Sequence, residues 1–239
     1  MRVPRPERLS DLELLGRLKG LSWLSAAQLK ELDDAMSVRN IKRDGVIFQE
    51  LGKPSAEGHI LLSGAAQLNH LDGGDPRVVA MMMPGVMFRL PQMPPEVGHN
   101  FEWVALNDCR VGRMPIERYV EITLGVDYFA YARSAEEAEN RIGRILARYP
   151  SFIGFGLLHR VAVALLELAV EFGVQNHRGV VLEIVPTHKQ LADLVGASRP
   201  KVSEVMNDLR RRKALSREGR KLTIAVKQLE AIVASEIDT

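Results

Sequence analysis

Near the start of the chain, leucines recur at steps of three and four, the spacing of helices with one apolar face. Leu12, Leu15 and Leu18 go with Ser10 and Glu13, and Leu29 and Leu32 follow Ser25 and Gln28. In each polar pair, two side chains three residues apart can satisfy each other's backbone donors, so two short helices are predicted to open the chain. From about Val38 to Met114 the pattern changes to short β-type runs broken by glycine: VIFQ, HILLSG, AAQLNHL, RVVAMMM, GVMF, NFEWVAL and CRVGRM. Asp72-Gly73-Gly74-Asp75 lies between two of these runs and suits a hairpin turn. Seven or eight strands at this spacing predict a small barrel or jelly roll, on the order of the smaller all-β architectures.

Helical periodicity returns after Pro115. Leu124, Tyr128, Tyr131, Ala135, Ala138, Ile142, Ile145 and Tyr149 alternate steps of four and three, the seam of a left-handed coiled coil. Such a seam needs a partner helix, and a homodimer paired through Tyr128, Tyr131, Ala135, Ala138, Ile142 and Ile145 is predicted. Tyr149-Pro150-Ser151 interrupts the helix and forms a candidate hinge. A second apolar helix is expected from about Phe155 to Val174, then a turn bracketed by Gly173 and Gly179, then a short strand from Val180 to Val185. The predicted organisation is α+β: a β-rich domain over 1–123, a dimerisation helix over 124–149 and a second, mainly helical domain over 150–239.

The run LADLVGASRPKVSEVMNDLRRRK, Leu191 to Lys213, carries the sharpest signal. Thr187 and Gln190 make a third capping-box pair, after which Leu191, Leu194 and Val195 share one face. Gly196 suits a tight turn because it enters positive φ without a Cβ clash. In the next helix Val202, Val205, Met206 and Leu209 form an inward stripe, with Ser198 placed to cap and Pro200 tolerated in the first turn. The opposite face carries Pro200, Ser203, Glu204, Asn207 and Arg211, with Arg199 on its flank. That is a helix-turn-helix whose second helix can enter a major groove. Arg217, Arg220 and Lys221 then surround Gly219, with Leu222 and Ile224 alternating behind, as in a two-stranded wing that grips phosphate.

Charge sharpens the picture. Pro186 to Ile224 holds 10 Lys plus Arg against 4 Asp plus Glu, whereas the 239-residue chain has a formal net charge of only +2. Positive charge is concentrated where phosphates would be neutralised, and double-stranded DNA is the expected partner. At 46% hydrophobic residues, the chain can build more than one core. The single cysteine, Cys109, excludes an intramolecular disulfide and any cluster held by several cysteines of one chain; it reads as a small buried hydrophobe in a strand. With no long apolar run, a cytoplasmic protein without a membrane anchor is expected. HExxH, a nucleophile elbow, a Walker loop and a dinucleotide fingerprint are all missing, so no enzyme is predicted.

The order of these elements resembles the cyclic-AMP receptor protein and fumarate-nitrate regulator (CRP/FNR) superfamily of bacterial transcription factors over essentially the whole chain. The resemblance rests on GVIFQELGKPSAEGHILLSGAAQL, on the long seam helix, and on PTHKQLADLVGASRPKVSEVMNDL followed by a glycine-turn wing. It implies a jelly-roll sensor, a dimerisation helix and a winged helix-turn-helix reading a palindromic operator. It also implies that Arg199, Pro200, Ser203 and Glu204 face base edges. Arg can pair with guanine and Glu with cytosine, so Arg199 and Glu204 are the expected direct readers. Pro200 offers no polar contact and Glu204 stands where arginine is common in the superfamily, so a different operator is implied. Thr187, Lys189, Ser198, Lys201, Arg217, Arg220 and Lys221 are the expected phosphate contacts. An activator of this type would also meet RNA polymerase.

The same resemblance implies a ligand cavity in the barrel, with Met83, Phe88, Arg89, Asn100 and Phe101 as candidate lining. The superfamily's phosphate clamp for cyclic nucleotides is not found in Gly85-Val86-Met87-Phe88-Arg89-Leu90-Pro91 or in His99-Asn100-Phe101-Glu102-Trp103. A buried phosphate without cations or donors is disfavoured, so the expectation is an effector other than cyclic AMP, or constitutive binding. No cofactor is predicted. Two alternatives stay open within the pattern: a haem-based gas or redox sensor using His59, His70, His99 or His159, and a module whose C-terminal domain contacts protein rather than DNA. A cupin-like metalloenzyme is a third, although its His-x-His pair with a following Glu is missing.

Overall fold

The computed structural model describes residues 9–49, 56–71, 74–85, 87–89, 100–124, 132 and 154–237. The seam residues Tyr128, Tyr131, Ala135, Ala138, Ile142 and Ile145, the Tyr149-Pro150-Ser151 break, Asp72, Gly73 and His99 lie outside them. The chain divides into two compact units, one of residues 1–66 and 83–139, the other of residues 67–82 and 140–239.

In the N-terminal half, α1 (Asp11–Leu15) and α2 (Ala26–Ala35) precede strands β1 (Ser37–Ile41), β2 (Val46–Gln49), β3 (Glu57–Ser63), β4 (Ala66–His70), β5 (Arg77–Met82), β6 (Phe101–Ala105) and β7 (Cys109–Pro115). Helix α3 (Ile116–Leu124) follows directly. Both predicted capping boxes form: Ser10 N–H donates to Glu13 Oε2 at 2.7 Å, and Ser25 N–H donates to Gln28 Oε1 at 2.9 Å. The strands hydrogen-bond in the order β1-β7-β3, and β2 pairs with β6. Val38 stands opposite Gly112 and Ile60 opposite the other side of the same residue, so β7 is the centre of its sheet.

Strand β3 explains why this sheet is covered on both faces. Gly58 through Leu62 are all buried, a continuous run of the kind found where packing occurs on each side. Ile60 and Leu62 join Leu15, Leu18, Leu21, Leu32, Met114 and Ile122 in one apolar cluster, which is where the leucine-rich helices bury their faces. His59 and Leu61 alternate to the opposite face. There His59 lies 4.4 Å from the Phe48 ring and 5.8 Å from Phe88, and Phe88 meets Trp103 edge-on at 5.1 Å. Cys109 is buried at the start of β7, its thiol donating to the Ala65 carbonyl at 3.2 Å, and burial pushes that thiol's pKa up.

The C-terminal half contains α4 (Leu157–Phe172), hairpin β8 (Gly173–Asn176) and β9 (Gly179–Leu182), α5 (His188–Val195), α6 (Arg199–Arg211), β10 (Leu215–Glu218), β11 (Lys221–Ile224) and α7 (Val226–Ile237). Its sheet runs β10-β11-β9-β8, all antiparallel, with Leu222 opposite both Arg217 and Leu182. Helix α4 buries Val161, Ala162, Leu165, Leu168 and Phe172 and packs against α5, α6 and α7. No described helix is long and apolar enough to cross a membrane.

Several expectations change in detail. The segment GVMF contributes one isolated β-bridge among the described residues, Phe88 to His59, rather than a strand. The turn expected between Gly173 and Gly179 is a complete hairpin: Gly173 begins β8, so α4 ends at Phe172, and the strand expected to reach Val185 ends at Leu182. Strand β1 and helix α7 lie beyond the runs that periodicity picked out.

His59 makes the barrel core pH-sensitive. The ring is 1% exposed, and burial, followed by the nearby positive charges of Arg39 and Arg113, lowers its pKa to about 4. The unfolded chain takes the proton near the usual value of about 6.5, so the stabilisation is complete above that pH and is lost as pH falls towards the folded value. Unfolding free energy should therefore drop by up to about 3 kcal/mol between about pH 7 and about pH 4 through this group. Denaturant titrations at the two pH values should show a distinctly smaller drop for His59→Leu than for the natural chain.

Candidate nucleic-acid interface

The helix-turn-helix is built from three local devices. Thr187 Oγ1 accepts the Gln190 amide at 3.2 Å while Gln190 Oε1 accepts the Thr187 amide at 2.7 Å, which fixes where α5 begins. Gly196 ends α5 in the left-handed region, φ 61° and ψ 47°, and its amide and that of Ala197 return to the last turn of the helix. Ser198 then starts α6 with extended backbone and makes no side-chain capping bond, so its hydroxyl stays outside the helix's own hydrogen bonding. Pro200 sits in the first turn, where a missing amide costs nothing.

Burial sets which face of α6 is presented. Val202 and Leu209 are fully buried and Met206 nearly so, against a first helix that buries Leu191, Leu194 and Val195. Arg160 on α4 donates to the Val195 carbonyl at 2.9 Å and ties the end of α5 to the supporting helix. With that stripe inward, Arg199, Pro200, Lys201, Glu204, Asn207 and Arg211 are exposed and Ser203 is half-buried. The four residues assigned to base reading thus share one end and one face of α6.

The wing is a tight hairpin. Glu218 faces Lys221 across a turn in which Gly219 adopts φ 59°, and the Arg217 guanidinium donates to the Gly219 carbonyl at 3.1 Å. Arg217, Arg220 and Lys221 are exposed, as are Thr187, Lys189 and Ser198 at the helix starts. Among the described residues Arg199, Lys201, Arg220 and Lys221 form no ion pair, whereas Lys189 reaches Asp193 at 3.4 Å. The far end of α6 is different. Arg211 and Arg212 both bond to Asp208, at 3.0 and 2.8 Å. Burial opposes ionisation of Asp208, but the two guanidiniums outweigh it and hold the carboxyl below its usual range.

One member of the surface was missed by sequence reasoning. His188, the first residue of α5, places Nδ1 2.7 Å from Ser203 Oγ on α6. Burial, then the charges of Arg210, Arg199 and Arg217, lowers its pKa. Helical spacing within one helix cannot report a contact between two, which is why the residue carried no signal.

The candidate effector residues lie elsewhere. Phe88 is buried in the aromatic group with His59 and Trp103, the Arg89 carbonyl accepts the Trp103 indole at 3.1 Å, and Met83, Asn100 and Phe101 are half-buried. Of the histidines considered as haem ligands, His59 lies between rings, His159 is buried and stacked on Phe155 at 4.1 Å, and His70 is half-buried. Among the described residues, no three His, Cys, Asp or Glu side chains gather in a metal-binding group.

Residues 159–234 match the Crp-like helix-turn-helix domain. The Global nitrogen regulator of Nostoc sp. is 24% identical over 190 residues, covering 78% of this chain and 84% of that protein. Among solved structures, a CooA mutant from Carboxydothermus hydrogenoformans has a TM-score of 0.67 at 17% identity, covering 95% of this chain and 98% of its own. FixK2 from Bradyrhizobium japonicum has a TM-score of 0.66 at 18% identity, covering 82% of this chain and 96% of its own. The chain thus carries a Crp-like helix-turn-helix over residues 159–234 and shares the fold of these solved structures, a β-rich N-terminal region followed by that domain.

The Thr187 cap is the device that sequence and structure define most sharply. Thr187→Ala should cost about 0.5–2 kcal/mol of stability. Chemical denaturation followed by far-ultraviolet circular dichroism should place its midpoint below that of the natural chain, while Thr187→Ser should restore most of the difference.

Proposed function

We propose that the protein acts as a homodimer that binds a palindromic operator, inserting α6 of each protomer into successive major grooves. The observation that carries this reading is the exposed face of α6 that bears Arg199 and Glu204, flanked by Lys201, Arg220 and Lys221, which form no ion pair among the described residues. In this reading Arg199 donates two hydrogen bonds to a guanine and Glu204 accepts one from a cytosine, with Pro200 and Ser203 packed beside them. Thr187, Lys189, Ser198, Lys201, Arg217, Arg220 and Lys221 hold phosphates and set the helix in register.

Pairing through the seam at Tyr128, Tyr131, Ala135, Ala138, Ile142 and Ile145 would double the number of bases read and impose two-fold symmetry on the operator. The barrel would answer to an effector other than cyclic AMP, or leave the dimer constitutively competent. Support for this comes from the sequence around Phe88 and Arg89, which lacks the phosphate clamp, and from the aromatic packing that Phe88 shares with His59 and Trp103. At an activated promoter the bound dimer would meet RNA polymerase. The protein performs no catalysis in this reading.

Selection of bound fragments from a random duplex library supplies the operator, and equilibrium binding to it tests the roles. Arg199→Ala should cost about 1–3 kcal/mol on the operator and relax preference at one base pair per half-site. Lys221→Ala should weaken operator and random duplex alike and make the salt dependence shallower by about one phosphate. Equal losses for both variants on both duplexes would overturn the division of roles, and sedimentation showing only monomers would overturn the dimer.

A further inference from the structure

We propose that His188 is a proton-linked DNA contact: held by Ser203 at the junction of the two helices, it offers Nε2 to a backbone phosphate and takes up a proton from solvent when DNA binds. This rests on the reading of α5 and α6 as a DNA interface and adds to it a residue and a pH dependence.

The hydrogen bonding fixes the ring's state. Ser203 Oγ lies 3.0 Å from the Arg199 carbonyl and 2.7 Å from His188 Nδ1. A hydroxyl has one proton, and a carbonyl can only accept, so the proton goes to Arg199 and a lone pair of Oγ accepts from Nδ1–H. The neutral ring is then the Nδ1–H tautomer, with its lone pair on Nε2. Protonation at Nε2 leaves both existing bonds unchanged and creates a second donor. The ring can therefore gain charge without any rearrangement of the helices.

The surroundings give that proton its direction. Among the described residues, the charged groups acting on His188 are Arg210 and Arg199 of α6 and Arg217 of β10, all positive; its chain neighbours are the cap residue Thr187 and Lys189, both exposed. In the free protein these cations and partial burial favour the neutral ring. Phosphates drawn to the same cations reverse the local potential, so the imidazole binds a proton more tightly in the complex than in the free protein. Binding then consumes a proton, and affinity must rise as pH falls through the range in which histidine titrates. The same geometry makes Ser203 a positioning residue, its hydroxyl committed to His188 and Arg199.

The test uses the full-length protein and a fluorescent duplex of random sequence in dilute buffer, since the contact is to backbone. Between about pH 8 and about pH 5.5, affinity of the natural chain should increase, by at most about tenfold per pH unit for one proton. His188→Gln should flatten this profile, and His188→Arg should give a flat profile at the tight end. Thermal melting at the higher pH confirms that both variants fold. In nuclear magnetic resonance titrations, the His188 ring should show a higher pKa with duplex than without it. A natural chain that binds with salt dependence but no pH dependence, or a His188→Gln variant that keeps the natural slope, overturns this inference alone. Failure of all three proteins to bind duplex at any pH overturns the DNA-binding reading together with it.

Discussion

The interface depends on the apolar contact between α5 and α6. Val202, Met206 and Leu209 have no other way to leave water than to turn toward Leu191, Leu194, Val195 and α4, and this rotation decides which residues of α6 remain outside. Gly196 sets the angle and the Thr187–Gln190 pair sets the start, so the recognition face is positioned by packing rather than by the exposed residues themselves. Exposed residues of α6 such as Arg199 and Glu204 can thus change while the scaffold stays intact.

The same economy of roles holds in the barrel. β3 is buried on both faces, one against the leucine helices and one against the aromatic group around His59. A slip of one residue would exchange Ile60 and Leu62 for His59 and Leu61, placing an imidazole in an aliphatic cluster. The irregularity between Leu61 and Ser63 falls at Leu62, the last residue that the strand gives to that cluster.

Much of this was legible from periodicity and spacing. The three capping boxes are read from pairs of residues three apart, and all three form, because both partners lie within one turn. The turn at Gly196 and the wing turn at Gly219 are legible because positive φ narrows the choice of residue. What stayed hidden depends on distant partners. β1, SVRNI, is mostly polar and becomes a strand by pairing with β7, whose sequence lies far along the chain. Gly173 reads as a turn but opens a strand, because β9 supplies its ladder. His188 belongs to the same class, its role arising from Ser203 on another helix.

At the far end of α6, Asp208 holds both Arg211 and Arg212, at 3.0 and 2.8 Å. One carboxylate offsets only one of these two charges, and Arg210 and Lys213 add theirs, so this end of the helix stays positive while two of its guanidiniums are held in place. Side chains already fixed have less rotamer freedom to lose when anything docks against them, so this end of the helix is pre-organised for association.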